Sequence, residues 1–305
     1  MILVNNQLGD GAYTQLRHAA WDGLTFTDLV FPSFLWIAGV ATTLSTANRL
    51  KRGQAKGKLL ANAFRRAAMI FLLGLFLNAL WTFDLATLRI PGVLQRIALC
   101  YLAGTLIYLW TDVRGRIAAI VALFAVYWVA MLQGDYSMEG NAGAQLDLWL
   151  MPGHLYRPVY DPEGLLTSLP AIGTFLFGVL AGDLLRSKYA SITKWLLVSG
   201  AALVAAGYAL SPFQPINKAL WTVPYTLISA GLASLMFGAA YWFADVRGHR
   251  GSWTLPFTIF GVNAIGVYTF HSVIESAFNT FGPREAIGGP LISSLGMPNG
   301  SALYG

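Results

Sequence analysis

Two ionisable side chains, His18 and Asp28, lie in "RHAAWDGLTFTDLVFP", residues 17–32, directly before an apolar run. Histidine has an ordinary pKa of about 6.5, so His18 has the chemistry of a general base or an acyl carrier near neutral pH. A solvated loop histidine is the alternative interpretation. "TFTD", residues 25–28, matches the capping-box pattern of a hydroxyl residue followed three positions later by a carboxylate. Helix capping and chemistry therefore both account for Asp28.

Further polar residues stand at or near the ends of other apolar runs. "RIPGVLQR", residues 89–96, precedes one run and "PINKALW", residues 215–221, precedes another, while the last clear run contains an asparagine and a histidine. Polar groups within a membrane segment are costly and mark functional sites by default. We therefore expect a further set of residues to converge with His18 and Asp28 around one cavity. This set comprises Asn5, Arg89, Gln95, Arg96, Asn217, Lys218, Asn263 and His271.

The two arginines of "RIPGVLQR" have two interpretations. Arg89 and Arg96 are seven positions apart, about two helical turns, so they can share a helix face. Alternatively both extend to lipid headgroups, although Gln95 is poorly suited to a lipid-facing position. No two histidines have the spacing of metal ligands on a helix, so we predict no metal. Cys100 is the only cysteine, which excludes an intrachain disulfide and a thiolate metal cluster.

The composition is typical of an integral membrane protein. Of the 305 residues, 11% are charged and the mean hydropathy is +0.56, whereas soluble domains have about 25% charged residues. Each of eight apolar runs is near the ~17–25 residues that a crossing helix needs. With a short apolar segment at 1–6, we predict an all-α, polytopic helical bundle of about nine full or partial spans, forming one domain over 1–305. The eight runs are 27–47, 60–80, 93–110, 115–133, 165–186, 192–210, 219–243 and 253–276.

Basic residues divide unequally between the two predicted sides of the membrane. Fourteen of the twenty fall on one side and only six on the other: Arg17, Arg89, Arg96, Arg157, Lys218 and Arg284. Short cytoplasmic loops carry the Lys/Arg excess, so His18 is predicted to face outward. The net charge of +6 is therefore an orientation signal and does not indicate nucleic-acid binding. A long polar loop at about 134–164 is predicted to cap the outer side.

Several motifs resemble those of one protein family. "RHAAWDGLTFTDLVFPSFLWIAGV" and "RIPGVLQRIALCY" are similar to segments of the heparan-α-glucosaminide N-acetyltransferase family and its bacterial relatives. "YDPEGLLTSLPAIGTFLFGVLAG", "PINKALWTVPYTLISAG" and "NAIGVYTFHSVIE" follow in the family's order, so the resemblance covers almost the whole chain. Family members have further helix before "MILVNN" and after residue 305, so we expect the chain to be truncated at both ends.

The resemblance implies an integral-membrane acyltransferase. It would move an acetyl group from cytosolic acetyl-CoA to an amino sugar or related glycan acceptor on the outer side. His18 matches the family's active-site histidine and Asn5 a second catalytic residue, suited to donate to the oxyanion. Asp28 would orient His18, and the remaining polar residues would bind substrate or cofactor. Among them Arg89, Arg96 and Lys218 suit an acidic sugar.

The resemblance also implies partners and a location. The basic inner loop at 49–66 suits the phosphates of the coenzyme, although membrane topology alone also explains its charge. We expect the protein in a bacterial inner (plasma) membrane, with the His18 loop on the periplasmic or extracellular side. Membrane lipid is a partner, and a homodimer is compatible with the sequence.

A multi-pass transporter of sugars or their derivatives is the competing interpretation. Many spans and a polar cluster at membrane depth fit it as well. Transporters commonly contain two halves of related pattern, and the sequence has none, which weighs against this class. A membrane scaffold without chemistry is a third interpretation, and the one-sided polar cluster argues against it.

Overall fold

The structure, a computed structural model, describes residues 13–80, 83–187, 191–281 and 293–294. Every regular element assigned there is helical, which confirms the predicted fold class. Two short 3-10 turns, Thr14–Leu16 and Thr27–Leu29, come first. The helices are α1 (Val30–Lys51), α2 (Lys56–Ala79), α3 (Val93–Trp110), α4 (Val113–Met131), α5 (Ala142–Leu150), α6 (Ser168–Arg186), α7 (Ile192–Leu210), α8 (Val223–Tyr241, continued by a π-helical turn, Trp242–Val246), α9 (Thr254–Val262) and α10 (Ala264–Phe281).

Seven of these segments are long and apolar enough to cross a membrane, and they coincide with the first seven predicted runs. Helices suit this environment because every backbone N–H and C=O in a lipid interior needs a partner within the protein. The spans confirm a polytopic helical membrane protein. The predicted short segment at 1–6 lies outside the described residues. The seven are Thr27–Lys51, α2, α3, α4, α6, α7 and Val223–Val246.

The eighth predicted run, 253–276, is not one straight helix. α9 and α10 are bent by 79° at Asn263, which makes this pair a broken span or a re-entrant segment. Asn263 Nδ2 donates to the carbonyl oxygen of Ile259 at 2.9 Å, so its side chain hydrogen-bonds to the last turn of α9. Both halves of the run are apolar, and hydropathy therefore gave no sign of the bend.

α1 and α6 form the centre of the bundle. α1 packs against α6, α8 and α3, and α6 packs also against α4. A Cβ atom at Gly39 would overlap the carbonyl oxygen of Phe175, and one at Gly178 would overlap that of Trp36. Such close backbone contact is possible only for glycine, and small residues commonly allow it between membrane helices. This tight contact fixes α1, whose first turn follows Asp28.

Short connections make consecutive spans antiparallel, so the loops gather at two ends. We call the end that contains His18 the His18 end, and the opposite one the Arg49 end. The predicted long loop at 134–164 lies at the His18 end and contains the short helix α5, which was not predicted. Asn141 caps α5, because its Oδ1 accepts the backbone N–H of Ala144 at 2.8 Å.

Candidate functional site

His18 is held at the start of α1 by a carboxylate. Its Nδ1 lies 2.7 Å from Oδ1 of Asp28. The other oxygen of Asp28 accepts the backbone N–H groups of Ala19 and Thr25, each at 3.1 Å, and the Thr25 hydroxyl at 2.9 Å. Asp28 is 1% exposed, whereas the His18 side chain is 49% exposed. The carboxylate therefore closes the turn that begins at Thr25 and holds the His18 ring through Nδ1. It does not cap the 3-10 turn or α1, neither of which has a side-chain cap.

A lysine from a distant loop completes the group. Lys218 Nζ lies 2.8 Å from His18 Nδ1 and 3.4 Å from Asp28 Oδ1. An ionised carboxylate can only accept hydrogen bonds, so we assign the Nδ1 proton to the Asp28 bond. Nδ1 then has no lone pair for Lys218, whose ammonium forms an ion pair with Asp28 at 3.4 Å. In this tautomer His18 Nε2 keeps its lone pair, and Lys218 Nζ lies 3.3 Å from it.

Burial and charge act in opposite directions on Lys218. Burial lowers the pKa of its ammonium group, while the negative charges of Asp28 and Glu163 raise it, and the net direction is downward. The ammonium therefore depends on nearby carboxylates to remain charged. Glu163 thus acts electrostatically on the same group that contacts His18.

The loop that carries Lys218 is tied to the loop that carries His18. Asn217 is fully buried, and its Nδ2 donates to Asp22 Oδ1 at 3.0 Å while its Oδ1 accepts the backbone N–H of Leu220 at 2.8 Å. A backbone bond of 2.7 Å from Gly23 N to the carbonyl oxygen of Ile216 joins the same two loops. Asn217, predicted to bind substrate or cofactor, thus positions Lys218 in this structure.

These loops border a cavity of about 530 Å³, which we call the His18 cavity. Its wall includes His18, Asp28 and Lys218, and it extends to the long outer loop. Aromatic residues form another part of the wall: the rings of Trp21 and Tyr160 meet edge to face at 5.4 Å. Other lining residues with polar or aromatic side chains are Arg89, Tyr156, Arg157, Glu163, Tyr268 and Glu275.

Arg89 joins two carboxylates at the cavity wall. Its Nε and one terminal nitrogen bind Asp161 at 2.8 and 2.7 Å, and that terminal nitrogen also binds Glu163 Oε2 at 2.6 Å. The guanidinium stacks on the Tyr156 ring at 4.6 Å. Arg89 lies in the loop before α3, so it does not share a helix face with Arg96. Because both carboxylates accept its protons, the pKa of Arg89 is raised despite burial.

Arg96 and Gln95 lie deeper, among the buried residues of α3. Arg96 is 1% exposed and donates to the carbonyl oxygen of Gly164 at 3.1 Å and to the Thr167 hydroxyl. Its guanidinium lies 4.9 Å from the centre of the Trp221 ring. Neither residue lines the His18 cavity. Arg96 thus ties α3 to the start of α6, and the lipid-headgroup alternative is wrong for both arginines.

The remaining predicted residues stand at different distances from the cavity. His271 is buried, with Nε2 3.6 Å from Glu275, which lines the cavity. Asn263 is exposed at the bend between α9 and α10 and does not line it. Asn5 lies outside the described residues. Across the described ranges no group of three His, Cys, Asp or Glu is arranged to hold a metal ion, and the absence of a metal stays a prediction.

A second cavity, of about 220 Å³, opens among α1, α2 and α3. We call it the Arg49 cavity. Arg49 and Arg66 line it together with hydroxyl-bearing and apolar residues, and Arg66 lies over the Tyr101 ring at 5.4 Å. α1 borders both cavities: Phe31 lines the His18 cavity and Phe34 the Arg49 cavity. Three residues of helix rise only about 4.5 Å, so these two lining residues are less than one helical turn apart on α1.

Asp161 and Glu163 were not assigned to the site from the sequence. The sequence did point to these residues, because two carboxylates directly before a predicted span need positively charged partners. Trp221 was also missed. It is buried beneath Arg96, adopts φ 49°, and donates from Nε1 to the Thr174 hydroxyl at 3.1 Å. No hydropathy pattern identifies such a backbone conformation, which is uncommon outside glycine.

Comparisons with known proteins agree with the resemblance. A family model described as heparan-alpha-glucosaminide N-acetyltransferase, catalytic, matches residues 7–211, which include His18, Asp28 and Glu163. The heparan-alpha-glucosaminide N-acetyltransferase of Mus musculus is 29% identical over 346 aligned residues, 91% of this chain and 52% of that protein. The protein of the same name from Homo sapiens is 28% identical over 345, again 91% of this chain and 51% of that protein. The chain thus spans about half the length of the curated relatives it matches.

Proposed function

The chain belongs to the heparan-alpha-glucosaminide N-acetyltransferase catalytic family, and we propose that it transfers an acetyl group from acetyl-CoA to an amino-sugar acceptor across a membrane. The observation that carries this proposal is the 2.7 Å bond between His18 and the buried carboxylate of Asp28, at the wall of an open cavity. A carboxylate that fixes the tautomer and orientation of an imidazole is a recurring device of acyl-transfer sites.

Each cavity has the chemistry of one substrate. The Arg49 cavity offers two guanidinium groups, Arg49 and Arg66, for the phosphates of the coenzyme. Its hydroxyl-bearing wall along α1 suits an extended amide chain that leads toward Phe34 and Phe31. The thioester would then reach the His18 cavity, which receives the acceptor from the opposite end.

The proposed reaction assigns His18 Nε2 as the reacting nitrogen. The free amine of the acceptor attacks the thioester carbonyl carbon, the new C–N bond forms, and the C–S bond breaks. Nε2 takes the proton from the attacking nitrogen and returns it to the departing thiolate, giving the amide and free coenzyme. In the alternative role, Nε2 first accepts the acetyl group and then passes it to the amine. Asp28 compensates the positive imidazole charge in either role.

We propose further that residues 1–305 form one membrane domain and that the loop at 134–164 caps the acceptor side. We propose the inner membrane of a bacterium as the location, and the distribution of basic residues supports an orientation with the His18 end outward. Asn5 remains our candidate for an oxyanion donor, and Arg89, Gln95, Arg96, Asn217, Lys218, Asn263 and His271 remain candidates for supporting substrate or cofactor binding. Arrangement as a homodimer stays a proposal.

The test is transfer of labelled acetyl groups by the purified protein in lipid nanodiscs. The wild-type protein should acetylate glucosamine from labelled acetyl-CoA. His18→Ala should lower the rate by at least about 10²-fold, while the apparent unfolding temperature changes little because the side chain is half exposed. If Nε2 carries the acetyl group, a brief incubation without acceptor should label the wild-type protein and not the variant.

His249→Ala is the matched control. His249 lies in an exposed loop at the Arg49 end, stacked on Phe243 at 4.8 Å, and its loss should leave the rate unchanged. Transfer by His18→Ala at the wild-type rate would exclude both roles of Nε2. A wild-type protein that binds the sugar and moves it into vesicles without acetylating it would favour the transporter instead.

A further inference from the structure

Three carboxylates near His18, those of Asp28, Asp161 and Glu163, differ in how many donors they already have. A fourth, Glu275, lines the cavity from α10 and lies 3.6 Å from His271 Nε2. Asp28 accepts three hydrogen bonds at one oxygen and contacts His18 and Lys218 with the other. Asp161 has no exposed side-chain surface and accepts two donors at each oxygen, from Arg89 and from the backbone N–H groups of Tyr156 and Glu163. Neither has free capacity for a ligand.

Glu163 is different because it uses only one of its carboxylate oxygens. Oε2 accepts a hydrogen bond from Arg89, while Oε1 has no donor among the described residues. The side chain is 11% exposed, and that surface faces the His18 cavity, whose wall includes Glu163. A carboxylate oxygen accepts more than one hydrogen bond, so Oε1 is ready for a donor that enters this cavity.

Glu163 shares its counter-ion with a second carboxylate. One guanidinium, that of Arg89, binds both Asp161 and Glu163. Lys218 and Arg96 also interact electrostatically with Glu163, but Lys218 pairs with Asp28, and Arg96 donates to a carbonyl oxygen and a hydroxyl. Arg157, which lines the same cavity, is exposed. A ligand with N–H donors on a positive charge would therefore complete the hydrogen bonding of Oε1.

We propose that Glu163 is the specificity-determining residue that binds the ammonium group of the acceptor, with the sugar ring against the aromatic wall of Trp21 and Tyr160. This inference rests on the proposed acetyl transfer and deepens it, because it selects the acceptor class by charge. Arg89 and Asp161 position Glu163. The acceptor amine approaches as a cation, is held at Glu163, and releases one proton to water before it attacks. Neutral sugars and N-acylated sugars lack the charge and are rejected.

Glu163→Gln tests the proposal, because it keeps the size and the Arg89 contact but removes the charge. We expect the KM for glucosamine to rise at least about tenfold, since hydrogen bonds to charged groups contribute more than neutral ones. The KM for acetyl-CoA should stay unchanged, because that substrate enters the other cavity. Glu163→Asp, which keeps the charge but withdraws it by one methylene, should restore part of the loss. Glu139→Gln, in an exposed stretch of the outer loop, is the matched control.

A KM for glucosamine within twofold of wild type in the Glu163→Gln protein would overturn the proposal, and so would equal losses for glucosamine and acetyl-CoA. If the wild-type protein transfers no acetyl group, the proposed function fails, and calorimetric binding then tests Glu163 independently. Glucosamine should bind the wild-type protein more tightly than N-acetylglucosamine, and Glu163→Gln should abolish that preference. Absence of the preference in the wild-type protein overturns the assignment. If Glu163→Gln does not fold, the same titrations are made on Glu163→Asp. This variant should prefer glucosamine over N-acetylglucosamine less strongly than the wild-type protein does, and an unchanged preference overturns the assignment.

Discussion

Lys218 places a positive charge beside both His18 and Asp28. Its ammonium lies 2.8 Å from His18 Nδ1, 200 positions away in the chain, and shares the Asp28 carboxylate with the imidazole. The positive charge of Lys218 therefore compensates the negative charge of Asp28 beside the imidazole.

Removal of this charge should slow the proposed reaction. In Lys218→Gln the Asp28 carboxylate keeps His18 but loses its second cation. We expect kcat to fall by about tenfold, since a bond to a charged group contributes about 1.5–3 kcal/mol, while the KM for acetyl-CoA stays unchanged. Lys218→Arg keeps the charge and should keep kcat near its wild-type value. A wild-type kcat in Lys218→Gln would refute this role.

At the scale of elements, α5 and the start of α6 meet through one buried carboxylate. Asp147 on α5 accepts the backbone N–H of Leu165 at 2.9 Å. Burial raises the pKa of Asp147 from 3.8 to about 6. The folded protein therefore holds this proton more tightly than the unfolded chain does. The resulting stability is present below the ordinary pKa and is lost as pH rises from about 4 to about 6.

Asp147→Asn should consequently stabilise the protein at alkaline pH. The amide keeps an oxygen for Leu165 N–H but carries no charge, which removes a cost on the order of 3 kcal/mol at pH 8. The variant should have the higher apparent unfolding temperature at pH 8, and the difference should shrink toward pH 4.5. Asp135→Asn is the control of opposite sign, because hydrogen bonds from Ser137 lower the pKa of that exposed carboxyl. An Asp147→Asn protein less stable than wild type at pH 8 would contradict the assigned sign.

The sequence predicts the helices themselves but not the contacts between residues that are distant in the chain. Long apolar runs determine the spans, since length and hydropathy are local properties. The contact between Thr25 and Asp28 was likewise visible in "TFTD". The partner of Arg89 was not, because Asp161 lies 72 positions away and no local pattern encodes a tertiary ion pair. Asn263 was assigned to the site from its depth in an apolar run, and the bend at that residue points it elsewhere.

At the scale of the whole molecule, the two ends of the helical bundle differ in charge and in the cavity that opens there. The Arg49 end has the basic inner loop and the Arg49 cavity, while the His18 end has the acidic groups and the aromatic wall. If the proposed function holds, coenzyme phosphates and an ammonium sugar would enter from opposite sides without competing. This division has a function only if the two ends lie on opposite faces of a membrane.

Cysteine labelling in intact cells tests that orientation. Gln54 is exposed at the Arg49 end, and Gln145 is exposed on α5 at the His18 end. The native Cys100 is buried and should not react with an impermeant maleimide. The cytoplasmic preference of Lys and Arg places Gln54 inside, so Gln145→Cys should be labelled from outside and Gln54→Cys only after permeabilisation. Labelling of both variants from the same face would refute the topology. Labelling of only Gln54→Cys from outside would invert it, and the His18 cavity would then open to the cytoplasm.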